Sequence, residues 1–162
     1  MNIQGRVLLV LDANILIRAA LGQRVKGILL ANAARASFYA PDVAYEDAWE
    51  YLPGLLARRG IDPGALSSWL RDLQDIVRPL SVEVYGHMRR LALQRIATRD
   101  EDDWPVVAAA LSLGCPVWTE DQDFFGTGIP TWTTDRVELY LNPDQRLWQI
   151  PKQVNETAKA RP

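Results

Sequence analysis

One cysteine, Cys115, and one histidine, His87, stand among 162 residues. A lone cysteine excludes an intramolecular disulfide and any cysteine-built zinc site within the chain. A lone histidine excludes a His-cluster metal site and leaves little for a Ser-His-Asp triad. Cys115, between Gly114 and Pro116, reads as a small buried packer, and His87 as a helix-surface or interface residue rather than a general base. No stretch approaches the ~18 consecutive apolar residues of a membrane span, so none is expected. The apolar N-terminal run is interrupted by Asp12 and Arg18 and is followed by no small-residue cleavage site. It reads as a buried strand rather than a signal peptide, and a cytoplasmic location is expected. The net charge is −2, so no bulk positive field recruits nucleic acid.

What is present is the composition of a globular domain, 48% hydrophobic and 23% charged. One domain is expected over residues 1–141, followed by a polar, partly disordered C-terminal extension over 142–162. Val7–Leu11 is a continuous apolar run of strand length, as a strand covered on both faces requires. Further short strands are predicted at 37–40, 80–82, 116–119 and 131–133. Helical patterns lie between them, at 15–21, 25–36, from Asp42 onward, from Asp62-Pro63, from about 83 to 97, and from Asp103 to Gly114. Asp42 is a plausible N-cap, and Tyr45, Ala48, Trp49, Leu52, Leu55 and Leu56 form an apolar stripe behind it. Strands alternating with helices argue for an α/β sandwich around a parallel sheet.

The near-balanced charge hides a cluster: 7 of the 20 acids fall between Asp100 and Asp123. In open α/β sheets, ligands gather beyond the carboxyl ends of the strands. Asp12 ends the first strand, Glu46 lies one turn into the helix after the second, and Asp103 opens the helix that feeds the 116–119 strand. Glu120, Asp121 and Asp123 follow that strand directly. Two like charges ~4 Å apart repel by roughly 4 kcal/mol at an effective dielectric of ~20. Such a group takes up protons or binds a cation. Oxygen-only ligands suit Mg²⁺ or Mn²⁺, and such ions assist phosphodiester hydrolysis without a side-chain nucleophile. Each acid also has a plainer reading. Asp12 and Asp103 are placed to cap helices, Glu46 with Asp47 and Glu50 to solvate a helix face, and Asp123 to order a turn. Asp100, Glu101, Asp102 and Glu120 read as loop charges.

The run Leu11-Asp12-Ala13-Asn14-Ile15-Leu16-Ile17 resembles the opening motif of PIN-domain ribonucleases, including the toxins of VapBC-type toxin–antitoxin pairs. The stretch from Asp102-Asp103-Trp104-Pro105 to Leu111 resembles that family's third acidic motif. Pro116-Val117-Trp118-Thr119-Glu120-Asp121-Gln122-Asp123 resembles its strand-end motif, and Glu46 sits where its second acid is placed. The resemblance implies a three-layer α/β/α sandwich with a central parallel sheet and Mg²⁺- or Mn²⁺-dependent endoribonuclease activity. It also implies an RNA substrate, an antitoxin partner and a homodimer. Asp12, Glu46, Asp103 and Asp121 then match the catalytic and metal-holding acids, with Asp123 an alternative or additional ligand. Asn14 and Thr119 match polar positions that support them. A catalytically silent PIN-like binding domain and a structure-specific DNA nuclease are the alternatives.

Fifteen of the 18 basic residues are arginine, and they crowd the middle third. Arg89, Arg90 and Arg99 could grip RNA phosphates beside the acidic edge, and Trp104 could stack a base. Ordinary helix-surface pairing is the plainer reading of these arginines. Trp49, Trp118 and Trp132 fall on core-facing patterns.

Overall fold

A computed structural model describes residues 5–142. Val7–Leu11 (β1) occupies the middle of a five-stranded sheet. The other strands are Ala36–Pro41 (β2), Val77–Leu80 (β3), Val117–Trp118 (β4) and Thr131–Trp132 (β5). The order is β3-β2-β1-β4-β5 and every pairing is parallel. Val10 of β1 lies beside Tyr39 on one flank and Val117 on the other.

Strand alternation divides the core into two layers. Leu9 and Leu11 of β1 and Trp118 of β4 face one way, against Ala13–Leu21 (α1), Arg24–Asn32 (α2), Asp42–Arg58 (α3), Leu66–Ile76 (α4) and Val137–Leu141 (α8). Leu8, Val10 and Val117 face the other way, against Val82–Tyr85 (α5), Arg89–Ile96 (α6) and Trp104–Leu113 (α7). Helices therefore cover both faces of the sheet, the three-layer α/β/α sandwich expected from the sequence. An all-parallel sheet puts the carboxyl ends of all five strands at one edge. The chain winds outward from β1 to β3 and then returns to the other side of β1 for β4. The gap between β1 and β4 is the topological switch point, where such sheets form crevices.

The differences from the sequence reading have local causes. The third strand, expected at 80–82, lies at Val77–Leu80. As an edge strand it tolerates Pro79, and exposed Arg78 and Pro79 between buried Val77 and Leu80 conceal the strand pattern. The single helix expected to run to about residue 97 is two, α5 and α6, joined by a 3-10 turn at Gly86–Met88. Pro41 is the N-cap of α3, so Asp42 is its first residue and is not the cap. The Asp42 carboxylate instead accepts from the N–H groups of Val43 and Val82 and from the Tyr85 hydroxyl, tying α3 to α5. Trp49, read as core-facing, is 37% exposed. Helix α8 has no counterpart in the sequence reading. The extension expected beyond Asn142 lies outside the described residues. No helix among the described residues is long and apolar enough to cross a membrane.

Gly114 ends α7 in the left-handed conformation at φ 62°, its N–H bonded to Ala110 O. A Cβ there would meet no atom within 4 Å, so the cost of adding one is confined to the backbone. Gly114→Ala is expected to lower stability by about 1 kcal/mol, read as a lower urea midpoint at unchanged m-value.

Candidate functional site

Asp12 immediately follows β1 and caps α1, with Oδ1 accepting from the Ile15 N–H at 3.0 Å. Its other oxygen, Oδ2, accepts from the Thr119 hydroxyl. Thr119 follows β4 and is fully buried, and its Oγ1 in turn accepts the Asp121 N–H at 2.9 Å. One hydroxyl thus links the acids that leave the two strands flanking the switch point. Asp103 comes from the opposite side, as the residue before α7. It makes no side-chain cap bond there, and its buried Oδ2 has no hydrogen-bond partner. The capping role expected for Asp12 is therefore real and coexists with the site; the one expected for Asp103 is not formed.

These side chains line a cavity of about 190 Å³. Asp12, Asn14, Asp103 and Asp121 are all on its wall. So are Asp47 and Tyr51 of α3, and Asp102. Thr119 stands behind the wall as a support. Asp123 lies off the wall, and its N–H donates to Asp121 Oδ1 at 2.9 Å.

Glu46 is not on the wall. Val43, Asp47 and Tyr51 recur every fourth residue and form the row of α3 that faces the cavity. Glu46 belongs to the neighbouring row, with Asp42, and its charge is felt at Tyr85. The spacing of Asp47 and Tyr51 is the signal in the sequence; it is masked because an acid next to Glu46 reads equally well as a solvated charge.

Arg89, Arg90, Arg99 and Trp104 do not line the cavity either. The Trp104 ring packs against Tyr85 at 5.7 Å, and the Arg89 guanidinium lies 5.2 Å from the Trp104 ring centroid. That indole has its partners already. Arg99 donates to the carbonyls of Gln122 and Asp123, both at 3.0 Å, and Arg95 to Thr127 O at 2.8 Å. They hold the loop after Asp121, where Gly126 has a positive φ of 89° and a Cβ would meet the Arg99 guanidinium at 2.9 Å.

Burial pushes the Asp12 carboxyl up to about 6, against the opposing bonds from Thr119 and Ile15, with repulsion from Asp121 and Glu120 adding to the rise. Asp103 is raised to about 7, first by burial and then by repulsion from Asp100, Asp121, Asp12 and Asp123. Asp47 is raised by burial and by Glu50, Glu46 and Asp102. Each shift disfavours the anion, and a bound cation would offset it. The donors are all oxygen, which suits Mg²⁺ or Mn²⁺, and the unpartnered Asp103 Oδ2 is an available ligand atom. Among the described residues no three acidic, histidine or cysteine side chains already stand close enough to hold an ion.

The PIN domain family matches residues 10–142. The chain belongs to the PIN-domain family. PIN domains are generally nucleases. No curated protein matches this PIN domain. Among solved structures it is similar to PAE2754 from Pyrobaculum aerophilum, with 19% identity, a TM-score of 0.60 and coverage of 86% of this chain and 93% of that one. It is also similar to a toxin–antitoxin complex from Klebsiella pneumoniae (17% identity, TM-score 0.54, 78% and 97% coverage). A third is VapBC2 from Rickettsia felis, bound to a DNA fragment from their promoter (12% identity, TM-score 0.54, 78% and 98% coverage). These likenesses share the fold of the PIN domain described above.

Because the folded pKa values of Asp12 and Asp103 lie above the ordinary 3.8, the folded chain binds protons more tightly than the unfolded one. Their contribution to stability is full below pH ~4 and is lost as pH rises through 6 to 7. Metal-free protein is therefore expected to show a falling urea midpoint across that window. A carboxyl raised from 3.8 to about 6 accounts for about 3 kcal/mol of the fall, so Asp12→Asn should flatten the profile by that order. Asparagine keeps the cap, and the variant should be at least as stable as wild type at pH 7.5. A large loss there would show that the capping and Thr119 bonds of the carboxylate outweigh the repulsion.

Proposed function

We propose that this PIN domain is a divalent-metal-dependent endoribonuclease that hydrolyses RNA phosphodiester bonds at its acidic cavity, as the toxin of a toxin–antitoxin pair. The convergence of Asp12, Asp103 and Asp121 on one cavity at the switch point carries this reading. Three separated segments place like charges together, and burial and mutual repulsion raise two of them. Asp12, Asp103 and Asp121 would hold Mg²⁺ or Mn²⁺, with Asp47 in the role expected of Glu46 and Asp123 supporting Asp121 through its backbone. When bound, such an ion polarises a phosphoryl oxygen and lowers the pKa of an attacking water.

The chain's own residues supply the rest. Thr119 fixes the Asp12 carboxylate and the backbone at Asp121 together. Asp103 can hold or release a proton at Oδ2 near neutral pH. Asn14, exposed on the wall, offers an amide to a phosphate oxygen or a ribose hydroxyl. Ala44 and Val106 make part of the cavity apolar and limit water there. The partners in this reading are an RNA substrate, an antitoxin protein and a second copy of the chain, acting in the cytoplasm. The two toxin–antitoxin structures of the same fold support the antitoxin partner.

The test is cleavage of a panel of single-stranded RNAs with Mn²⁺ or Mg²⁺. Wild type should cut, EDTA should abolish cutting, and Asp12→Asn should lower the rate at least ~100-fold, since substitutions one shell further out typically cost 10–100-fold. Equal activity of wild type and Asp12→Asn would remove catalysis from this cavity. Between the two candidates on α3, Asp47→Asn should slow cleavage by ~10-fold or more and raise the Mn²⁺ concentration needed for half-maximal rate. Glu46→Gln should change neither by more than ~2-fold. The reverse pattern would restore Glu46.

A further inference from the structure

Beside the acidic cavity lies a second one of about 590 Å³, walled by Arg18 of α1, Arg24 at the start of α2, and Arg59 just after α3, with Glu120, Thr134 and Asp135 opposite. We propose that it is a phosphate subsite, which holds a backbone phosphodiester of single-stranded RNA one to two nucleotides from the bond cut. The inference rests on the endoribonuclease reading and extends it to how the substrate is gripped.

The arginines are available. The Arg18 guanidinium has no hydrogen bond or ion pair among the described residues. Arg59 makes one long bond, 3.4 Å, to Leu21 O. Arg24 pairs with Asp135 at 2.7 Å, but both side chains are mostly exposed, at 66% and 75%. Such exposed pairs contribute little and are readily exchanged for another anion. Glu120 is occupied, accepting the Thr134 N–H at 2.6 Å. Three arginines against the two carboxylates Glu120 and Asp135 leave the cavity net positive, and Arg18 and Arg59 present guanidinium forks of the kind that clasps phosphate bidentately.

Its position decides what the anion belongs to. Glu120 lines this cavity and Asp121, the next residue, lines the acidic one. On α1, Asn14 and Ile17 face the acidic cavity, while Arg18 and Leu21 face the second. Arg18 is four residues, just over one helical turn, beyond Asn14, a rise of about 6 Å, against ~3.4 Å per nucleotide along a stacked strand. On α3, Tyr51 lies on the acidic wall and Arg59, two turns on, on the arginine wall. Tyr51 is 58% exposed and offers a ring face on which a base can stack. A ligand that spans both walls needs repeated phosphates and flat bases, which single-stranded RNA has and an acidic peptide lacks. The arrangement also answers how a chain of net charge −2 holds a polyanion against an acidic edge: the positive charge is local and adjacent.

The test uses the full chain carrying Asp12→Asn to silence cleavage, and a labelled ten-nucleotide single-stranded RNA of mixed sequence. Adding Arg18→Gln and Arg59→Gln together should weaken binding at least ~10-fold and lower the slope of log K against log salt by about 0.7, the value for one phosphate no longer neutralised. Arg18→Lys with Arg59→Lys should recover most of the slope and only part of the affinity. In the active chain the glutamine pair should raise KM more than it lowers kcat. Unchanged RNA affinity and slope in a chain whose wild type cuts RNA would overturn the subsite and leave the nuclease standing. Wild type that neither binds nor cuts RNA would overturn both. Loss of polyglutamate binding with RNA binding intact would assign the cavity to an acidic protein partner and overturn the proposal.

Discussion

Asp12 is only 5% exposed, and a carboxylate in that position is tolerated only if its oxygens are bonded. Both are: one by the Ile15 N–H at the head of α1, the other by the Thr119 hydroxyl beyond β4. Those two bonds fasten the start of a helix and the end of a neighbouring strand to one carboxyl group. The pairing of β1 with β4 brings the groups together, with Leu11 beside Trp118. Without that register, Thr119 and Asp121 would not reach Asp12, and the cavity would lose one wall.

The same carboxyl is pulled in two directions. Its hydrogen bonds favour the anion, while burial and the charges of Asp121 and Glu120 disfavour it, and burial is the largest effect. Asp103 has no compensating bond and is pushed higher, to about 7. The fold therefore carries an electrostatic penalty at neutral pH that a cation would relieve. This is characteristic of a site shaped for a ligand rather than for stability alone.

The arginines divide by location. Arg95 and Arg99 hold the carbonyls of the loop after Asp121, and Arg89 covers the Trp104 face. Arg18 and Arg59 have almost no internal work. Composition showed an arginine-rich chain but could not separate these groups. Whether a guanidinium meets a carbonyl or solvent depends on the loop packed against it, which is not a local property. The gripping role read into Arg89, Arg90 and Arg99 from their crowding is the one we propose for Arg18 and Arg59, whose guanidinium groups have few internal partners.

Periodicity and strand-end acids made much of the fold legible. Val7–Leu11, with apolar side chains on both faces, could only be a strand covered on both sides, and the alternation of strands and helices specified a parallel sheet. Asp12, Asp103 and Asp121 were legible because residues after strands, or before the helices that feed them, share one edge in such a sheet. Glu46 against Asp47 was not legible. Adjacent residues on a helix point about 100° apart, and which one meets the cavity is set by how α3 rolls on its buried stripe against α1 and β2. The edge strand β3 was misplaced because Arg78 and Pro79 hide its pattern. The sequence by itself determined the architecture and three of the acids, since both follow from short-range patterning and topology. Tertiary structure alone decided which acid of α3 lines the cavity, that the Thr119 hydroxyl joins Asp12 to the backbone at Asp121, and the second cavity. Each of these depends on contacts between segments far apart in the chain, and only packing brings them together.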